Sequence, residues 1–298
     1  MKLGTLYVAG ESVEQDYKQA AIYFEKSCKQ NIGQGCHNMG VLYNEGRGVE
    51  WSSTQHETAN SYYEKACKLN YKDGCYNLGI SYQKGKGTKQ DYRKANNYYE
   101  KACKLKEYKG CYALGLSYSE GQGVKKSYQK ANTYWIKACN NDVGEACFNL
   151  GILYNKGKGV KKDYRKANNF FEKACNLDIG MGCNNLGYSY EHAFGVKKDY
   201  QKALALFEKS CNLEEKMGCR NSGRLYSTGE GVEQNRYEAR IYLRRACNWN
   251  DDWGCALLGI LELEDNNLSE AMRYFRSSCN LGNKQACELY NKLKEQGF

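Results

Sequence analysis

The sequence predicts an all-α solenoid of two-helix repeats, each stapled by one disulfide. Cysteine register, helical periodicity and glycine turns at fixed offsets all point the same way. The sixteen cysteines of this 298-residue chain form eight pairs, every one C-x7-C: Cys28-Cys36, Cys67-Cys75, Cys103-Cys111, Cys139-Cys147, Cys175-Cys183, Cys211-Cys219, Cys247-Cys255 and Cys279-Cys287. First cysteines of successive pairs lie 39, 36, 36, 36, 36, 36 and 32 residues apart. A fixed period in this range marks a helical repeat array, in which each unit buries its apolar face only against its neighbours. Length alone would suggest two domains. Self-similarity instead argues for one repeat domain over 1–298, with about eight repeats of about 36 residues and a polar C-terminal cap at 284–298.

Zinc sites use shorter spacings, usually with histidine. The three histidines, His37, His56 and His192, share no register, so no metal or cofactor is called for. Plain buried thiols need neither an even count nor constant spacing. Disulfides need both, and they imply an oxidising compartment, secreted or periplasmic.

The repeat reads most clearly over 75–103, CYNLGISYQKGKGTKQDYRKANNYYEKAC. Cys75, Leu78, Gly79 and Tyr82 fall at i, i+3, i+4 and i+7, one face of a first helix ending near Lys84. Gly85-Lys86-Gly87 ends that helix, and Asp91 is the expected N-cap of a second helix running to about Leu105. Each disulfide then ties the end of one second helix to the start of the next first helix.

Glycine recurs four residues after the first-helix cysteine, from Gly40 to Gly259, and alanine forms a matching row on the second helices, from Ala20 to Ala271. Glycine inside a helix costs about 1 kcal/mol, so the row predicts close helix approach. The tyrosine row Tyr43, Tyr82, Tyr118, Tyr154, Tyr190 and Tyr226 is expected to pack in the core. Three places depart from the pattern: an insertion with Trp51 in 50–58, His192-Ala193-Phe194 in one turn, and a shortened last repeat. Met1-Lys2-Leu3-Gly4 matches Tyr76-Asn77-Leu78-Gly79, so the chain is expected to start inside a first helix, its targeting sequence unseen.

With the unit laid out, 75–103 and 147–175 closely resemble Sel-like repeats (SLR), relatives of tetratricopeptide repeats, and the C-x7-C addition resembles the Helicobacter cysteine-rich proteins. The resemblance covers essentially the whole chain. It implies a right-handed αα superhelix with a concave face, export, and roles in protein recognition and host interaction. Some members are described as penicillin-binding proteins or weak β-lactamases, which adds a β-lactam ligand as a second reading. Two S-x-x-K matches exist, Ser81 with Lys84 and Ser127 with Lys130, but about two arise by chance from this composition, and no S-D-N or K-T-G accompanies them. No catalytic residue can be named.

If first helices line the concave surface, positions two, five, six and nine after each cysteine face the groove. Position two carries Asn38, Asn77, Asn149, Asn185 and Asn221; position five includes Ile80, Ile152 and Tyr188. Asparagine is a poor interior helix residue. These amides either bind the backbone of an extended peptide or satisfy neighbouring helices and one another. The expected partner is therefore a peptide or protein, and the chain is expected to act as a monomer. The net charge of +10 concentrates in lysines at the turns, which form either a solvated edge or a stripe that steers anionic partners. No membrane span is visible, and with the tyrosines committed to packing, nucleic acid is not an expected partner.

Overall fold

The structure is a computed structural model that describes residues 1–297. Every regular element among them is helical. Two compact units divide the chain, Met1–Val143 and Gly144–Phe298. The first holds α1 (Lys2–Ala9), α2 (Tyr17–Lys29), α3 (Gly33–Glu45), α4 (Gln55–Lys68), α5 (Lys72–Lys84), α6 (Tyr92–Lys104), α7 (Tyr108–Glu120) and α8 (Tyr128–Cys139). The second holds α9 (Gly144–Lys156), α10 (Tyr164–Asn176), α11 (Gly180–His192), α12 (Tyr200–Asn212), α13 (Lys216–Thr228), α14 (Arg236–Asn248), α15 (Asp252–Glu264), α16 (Leu268–Asn280) and α17 (Lys284–Glu295). Within each unit, odd and even helices pair as antiparallel hairpins, and second helices pack on the first helix that follows.

One large side chain per hairpin explains the glycine row. A Cβ on Gly79 would fall 2.6 Å from the Tyr99 ring, and one on Gly223 would fall 2.6 Å from Leu243. Gly40 meets Tyr63, Gly115 meets Trp135, Gly151 meets Phe171 and Gly187 meets Phe207 in the same way. Gly4 meets Phe24, which places α1 in first-helix register. The alanine row, at 0–1% exposure, lets the two backbones approach closely enough for that bulk to be enclosed.

The turns follow from backbone chemistry. Gly46, Gly85, Gly121, Gly157 and Gly229 end first helices in the left-handed region. Second helices start on side-chain caps: Asp91, Ser127, Asp163 and Asp199 each accept a backbone N–H three residues on. Between a second helix and the next first helix, one residue turns left-handed in each connection. Asn31, Asn70, Asp142, Asp178 and Asn250 suit that conformation; Lys106 and Glu214 adopt it without that advantage.

Seven disulfides join these connections within C-x7-C, with Cα–Cα distances of 4.5–4.8 Å. Cys139 and Cys147 are also disulfide-bonded, and no described cysteine is free. No helix among the described residues is long and apolar enough to cross a membrane.

The tyrosine row packs against the core clusters from their edge, as for Tyr43, Tyr82, Tyr154, Tyr190 and Tyr226. Tyr43, Tyr82, Tyr118 and Tyr226 are half-buried and stack on Tyr62, Tyr98, Tyr134 and Tyr242 with centroids 5.5–5.8 Å apart. Stacking removes one ring face from water and leaves each hydroxyl a polar outlet, as where Tyr226 donates to Glu208. The fully buried bulk is instead the residue opposite each glycine.

Candidate functional site

First helices of neighbouring repeats touch: α3 with α5 in the first unit, α11 with α13 and α13 with α15 in the second. In each unit their outer sides form a surface row, and cavities recur on these rows in one register, two in the first unit and one in the second. The first, of about 320 Å³, lies where Thr5 and Val8 of α1 face Asn38, Val41, Leu42 and Glu45 of α3. The next, of about 250 Å³, lies where Val41, Asn44 and Glu45 of α3 face Asn77, Ile80, Ser81 and Lys84 of α5. In the second unit a cavity of about 300 Å³ lies where Asn155 and Lys156 of α9 face Asn185, Tyr188 and Ser189 of α11. Positions two, five and six after the cysteine thus meet position eight of the helix before, joined there by position five or nine.

The individual side chains differ in availability. Tyr188 is exposed (47%), whereas Ile80 and Ile152 are half-buried. Ile152 also leans on the core cluster of Ala167, Phe171 and Leu186. Position six lies deeper than expected: Ser81, Leu153 and Ser189 are buried, because that register turns toward the second helix. The Ser81 and Ser189 hydroxyls donate to the carbonyls of Asn77 and Asn185. Ser127, the other S-x-x-K serine, caps α8 by accepting the Lys130 N–H at 3.3 Å.

The asparagines hold specific partners. Asn77 Nδ2 lies 3.0 Å from His37 Nε2, and Asn38 Oδ1 lies 3.3 Å from His37 Nδ1. Asn221 donates to Asn184 Oδ1 at 2.8 Å, again from one first helix to the previous one. Asn185 donates to the Met181 carbonyl on its own helix at 2.8 Å, and Asn149 is half-buried on α9. An amide carries two donors and an acceptor oxygen with two lone pairs, so one such bond leaves capacity for a ligand. His37 belongs to this surface although its register did not single it out. It packs against the rings of Tyr63 and Tyr71, and burial holds its pKa below the ordinary value despite the Asn38 hydrogen bond and the Asp73 charge.

In the second unit arginines interrupt the row. Arg224, at position five of α13, pairs with the buried Glu191 of α11 and with Glu230. Arg220 meets the buried Asp251 at 3.2 Å, and Arg240 meets the buried Glu262 at 3.0 Å. The second-unit cavity is therefore bounded by aromatic groups, with an ion pair on the next first helix. Tyr188 lies 4.1 Å from the His192 ring, and Phe194 stacks on Tyr164 at 5.1 Å. His192 stands at position nine after Cys183, a register expected to face the groove, and it meets Tyr188 there; the part of Phe194 in this cluster has no counterpart in the repeat pattern. Among the described residues no group of three or more His, Cys, Asp or Glu side chains could hold a metal ion.

Comparison with known proteins gives this architecture a lineage. HcpC of Helicobacter pylori strain J99, named as a candidate beta-lactamase, is 57% identical over 37 residues, 12% of this chain and 13% of HcpC. The same protein from strain 26695 is 54% identical over 37 residues. The chain therefore matches about an eighth of these curated relatives. Among solved structures, c5321, a protective antigen of uropathogenic Escherichia coli with an SLR fold, superposes with a TM-score of 0.84 at 28% identity, over 99% of this chain and 64% of that one. A Sel1 repeat protein from Oxalobacter formigenes superposes with a TM-score of 0.70 at 28% identity, over 82% of this chain and 95% of that one. The Sel1 repeat itself matches residues 1–32, 33–71, 72–107, 109–143, 144–179, 180–214, 216–248 and 255–283, unit for unit with the hairpins. With eight matched repeats over nearly its whole length, the chain belongs to the Sel1 repeat family.

Proposed function

We propose that this chain is an extracytoplasmic scaffold that binds peptides or partner proteins along the surface rows that the first helices form in each unit. The observation that carries the reading is the recurrence of one cavity register, with an asparagine, an apolar or aromatic side chain and a helix-end polar group at each step. An extended chain repeats its own backbone groups, and a ladder of amides can donate to its carbonyls and accept from its N–H groups. Position five, where Ile80, Ile152 and Tyr188 stand, selects side chains. Complete disulfide bonding supports life outside the reducing cytosol. The Escherichia coli neighbour is a protective antigen, which supports contact with a host for this chain too.

Selection of random displayed peptides on the oxidised chain, followed by affinity measurement, tests the proposal. Asn77→Ala, Asn149→Ala, Asn185→Ala and Tyr188→Ala each weaken the selected peptide several-fold, in line with about 1–3 kcal/mol for a bond whose partner stays buried and unpaired. Asn149→Ala, Asn185→Ala and Tyr188→Ala leave the melting temperature nearly unchanged. Unchanged affinity across all four variants overturns the assignment of the groove.

A further inference from the structure

Charge is segregated among the turns. Four consecutive turns, residues 84–94, 120–130, 156–166 and 192–202, hold seventeen lysines and arginines against four acidic residues. The equivalent turns at 9–19, 45–58 and 228–238 hold three basic residues against nine acidic ones. The chain's positive charge is thus gathered on one class of loop and reversed on its flanking copies. A merely solvated edge has no need of that pattern.

These turns are held in place. Asn96 of α6, buried, donates to the Gln122 carbonyl of the following turn at 2.7 Å, and Asn168 of α10 donates to the Phe194 carbonyl at 2.6 Å. A Cβ on Gly123 would meet Tyr92 and Arg93 of the preceding turn, and one on Gly195 would meet Tyr164 and Arg165. Neighbouring basic turns within each unit therefore touch, closer than a Debye length of about 8–10 Å, so their fields add. One lysine recurs in register and exposed in every basic turn: Lys89, Lys125, Lys161 and Lys197.

We infer that the paired basic turns of each unit form a docking edge for a linear anionic polysaccharide. Charge complementarity requires a polyanion, and fixed clusters repeated in series suit a polymer with charge at regular intervals. A bilayer fits less well, because none of the large exposed hydrophobic residues lies in the four turns to anchor it. Nucleic-acid stacking fits less well, because the turn tyrosines are half-buried and carry lysine ammoniums over their faces, at 4.6 Å for Lys162 on Tyr164 and for Lys198 on Tyr200.

The experiment measures binding of the full oxidised chain to immobilised heparin, to polyglutamate and to phosphatidylglycerol vesicles. The chain holds heparin at low salt, at least tenfold more tightly than polyglutamate or the vesicles, and releases it as salt rises. Replacing Lys89, Lys125, Lys161 and Lys197 together by Glu weakens heparin binding at least tenfold with the melting temperature unchanged. A control with the same change of net charge, Glu at Lys26, Lys109, Lys284 and Lys292, weakens it less than threefold. An equal loss in the control means that only net charge acts and overturns the edge; so does absence of heparin binding. Equal or tighter binding to polyglutamate or vesicles overturns the polysaccharide. If the fourfold variant melts early, Lys161→Glu with Lys197→Glu is the substitute, expected to lose at least threefold.

Discussion

Asn77 of α5 donates through Nδ2 to Nε2 of His37 on α3, at 3.0 Å. A carboxamide nitrogen cannot accept, so Nε2 must carry the lone pair, and the ring proton sits on Nδ1, facing Asn38 Oδ1 at 3.3 Å. The bond between two neighbouring first helices thus exists only while His37 is neutral. Burial, the leading cause, lowers the His37 pKa, against the raising influence of the Asn38 hydrogen bond and Asp73. Its unfolded value is about 6.5. With the folded value below the unfolded one, the unfolded chain binds the extra proton first, and stability falls as pH drops through and below that value. NMR titration should place the His37 midpoint below the free-histidine value. Asn77→Ala removes a donor that favours the neutral ring, so the midpoint should move upward; an unmoved midpoint refutes the coupling.

The glycine row makes a direct stability prediction. A methyl on Gly79 has no space beside Tyr99, whose ring is held by a hydrogen bond from its hydroxyl to Gln83 at 2.6 Å. Gly79→Ala gains about 1 kcal/mol of helix propensity but meets overpacking of about 1–3 kcal/mol. The net effect should be a lowered melting temperature, and Gly79→Ala with Tyr99→Leu should recover part of it. A more stable Gly79→Ala would show that the hairpin is looser than its geometry.

Disulfide chemistry offers a separate check. With all described cysteines bonded, alkylation without prior reduction should add no mass to the oxidised protein. After reduction sixteen groups should add, and the melting temperature should fall. Each small loop contributes roughly 2–3 kcal/mol in the chain-entropy account. Alkylation of freshly isolated, unreduced protein at all sites would contradict the pairing.

Much of this was legible in one sequence because the repeat supplies its own comparison. Eight copies showed which positions are fixed, so the helices, the turns, the Asp91 cap and the cysteine pairing could all be placed. What stayed hidden depends on partners one repeat away. His37 gave no signal, because its meaning lies in Asn77, forty residues on. The depth of position six and of the tyrosine row stayed hidden for a related reason. Helical periodicity locates a face to within one residue of arc, about 100°, and cannot tell a buried Ser81 from a half-buried Ile80. The ion pairs of Arg220, Arg224 and Arg240 break the repeat pattern, so repetition could not predict them.

Those pairs carry a pH prediction. Burial opposes ionisation of Glu262, but hydrogen bonds from Asn267 and Arg240, with the charges of Arg240 and Arg244, outweigh it and lower the pKa. A depressed carboxyl pKa stabilises the fold above its unfolded value, about 4.3, and that contribution disappears as pH falls through the folded value. Glu262→Gln should therefore destabilise the second unit at pH 7, by about 1–3 kcal/mol for a charged hydrogen bond, moderated because Arg240 also pairs with Asp265. The difference from the parent chain should shrink toward pH 3. A penalty that is the same at both pH values would mean that packing, not charge, is what Glu262 supplies.

Ala193 stands where Gly46, Gly85, Gly121, Gly157 and Gly229 end their helices, and it adopts the same left-handed conformation at φ 61°. A Cβ there costs roughly 1–2 kcal/mol that glycine avoids. Glycine returns part of the difference as unfolded-state entropy, about 0.4–1 kcal/mol. Ala193→Gly should therefore stabilise the chain by about 0.5–1 kcal/mol, a rise of roughly 2–4 °C at most for a unit of this size. The alanine lies between His192, which touches Tyr188, and Phe194, which stacks on Tyr164 at the cavity wall. If the strain fixes that aromatic wall for a ligand, Ala193→Gly should raise the melting temperature and weaken the selected peptide together. Stabilisation with unchanged affinity would make the alanine a tolerated imperfection. Destabilisation would show that the methyl is packed, and the strain argument would fail.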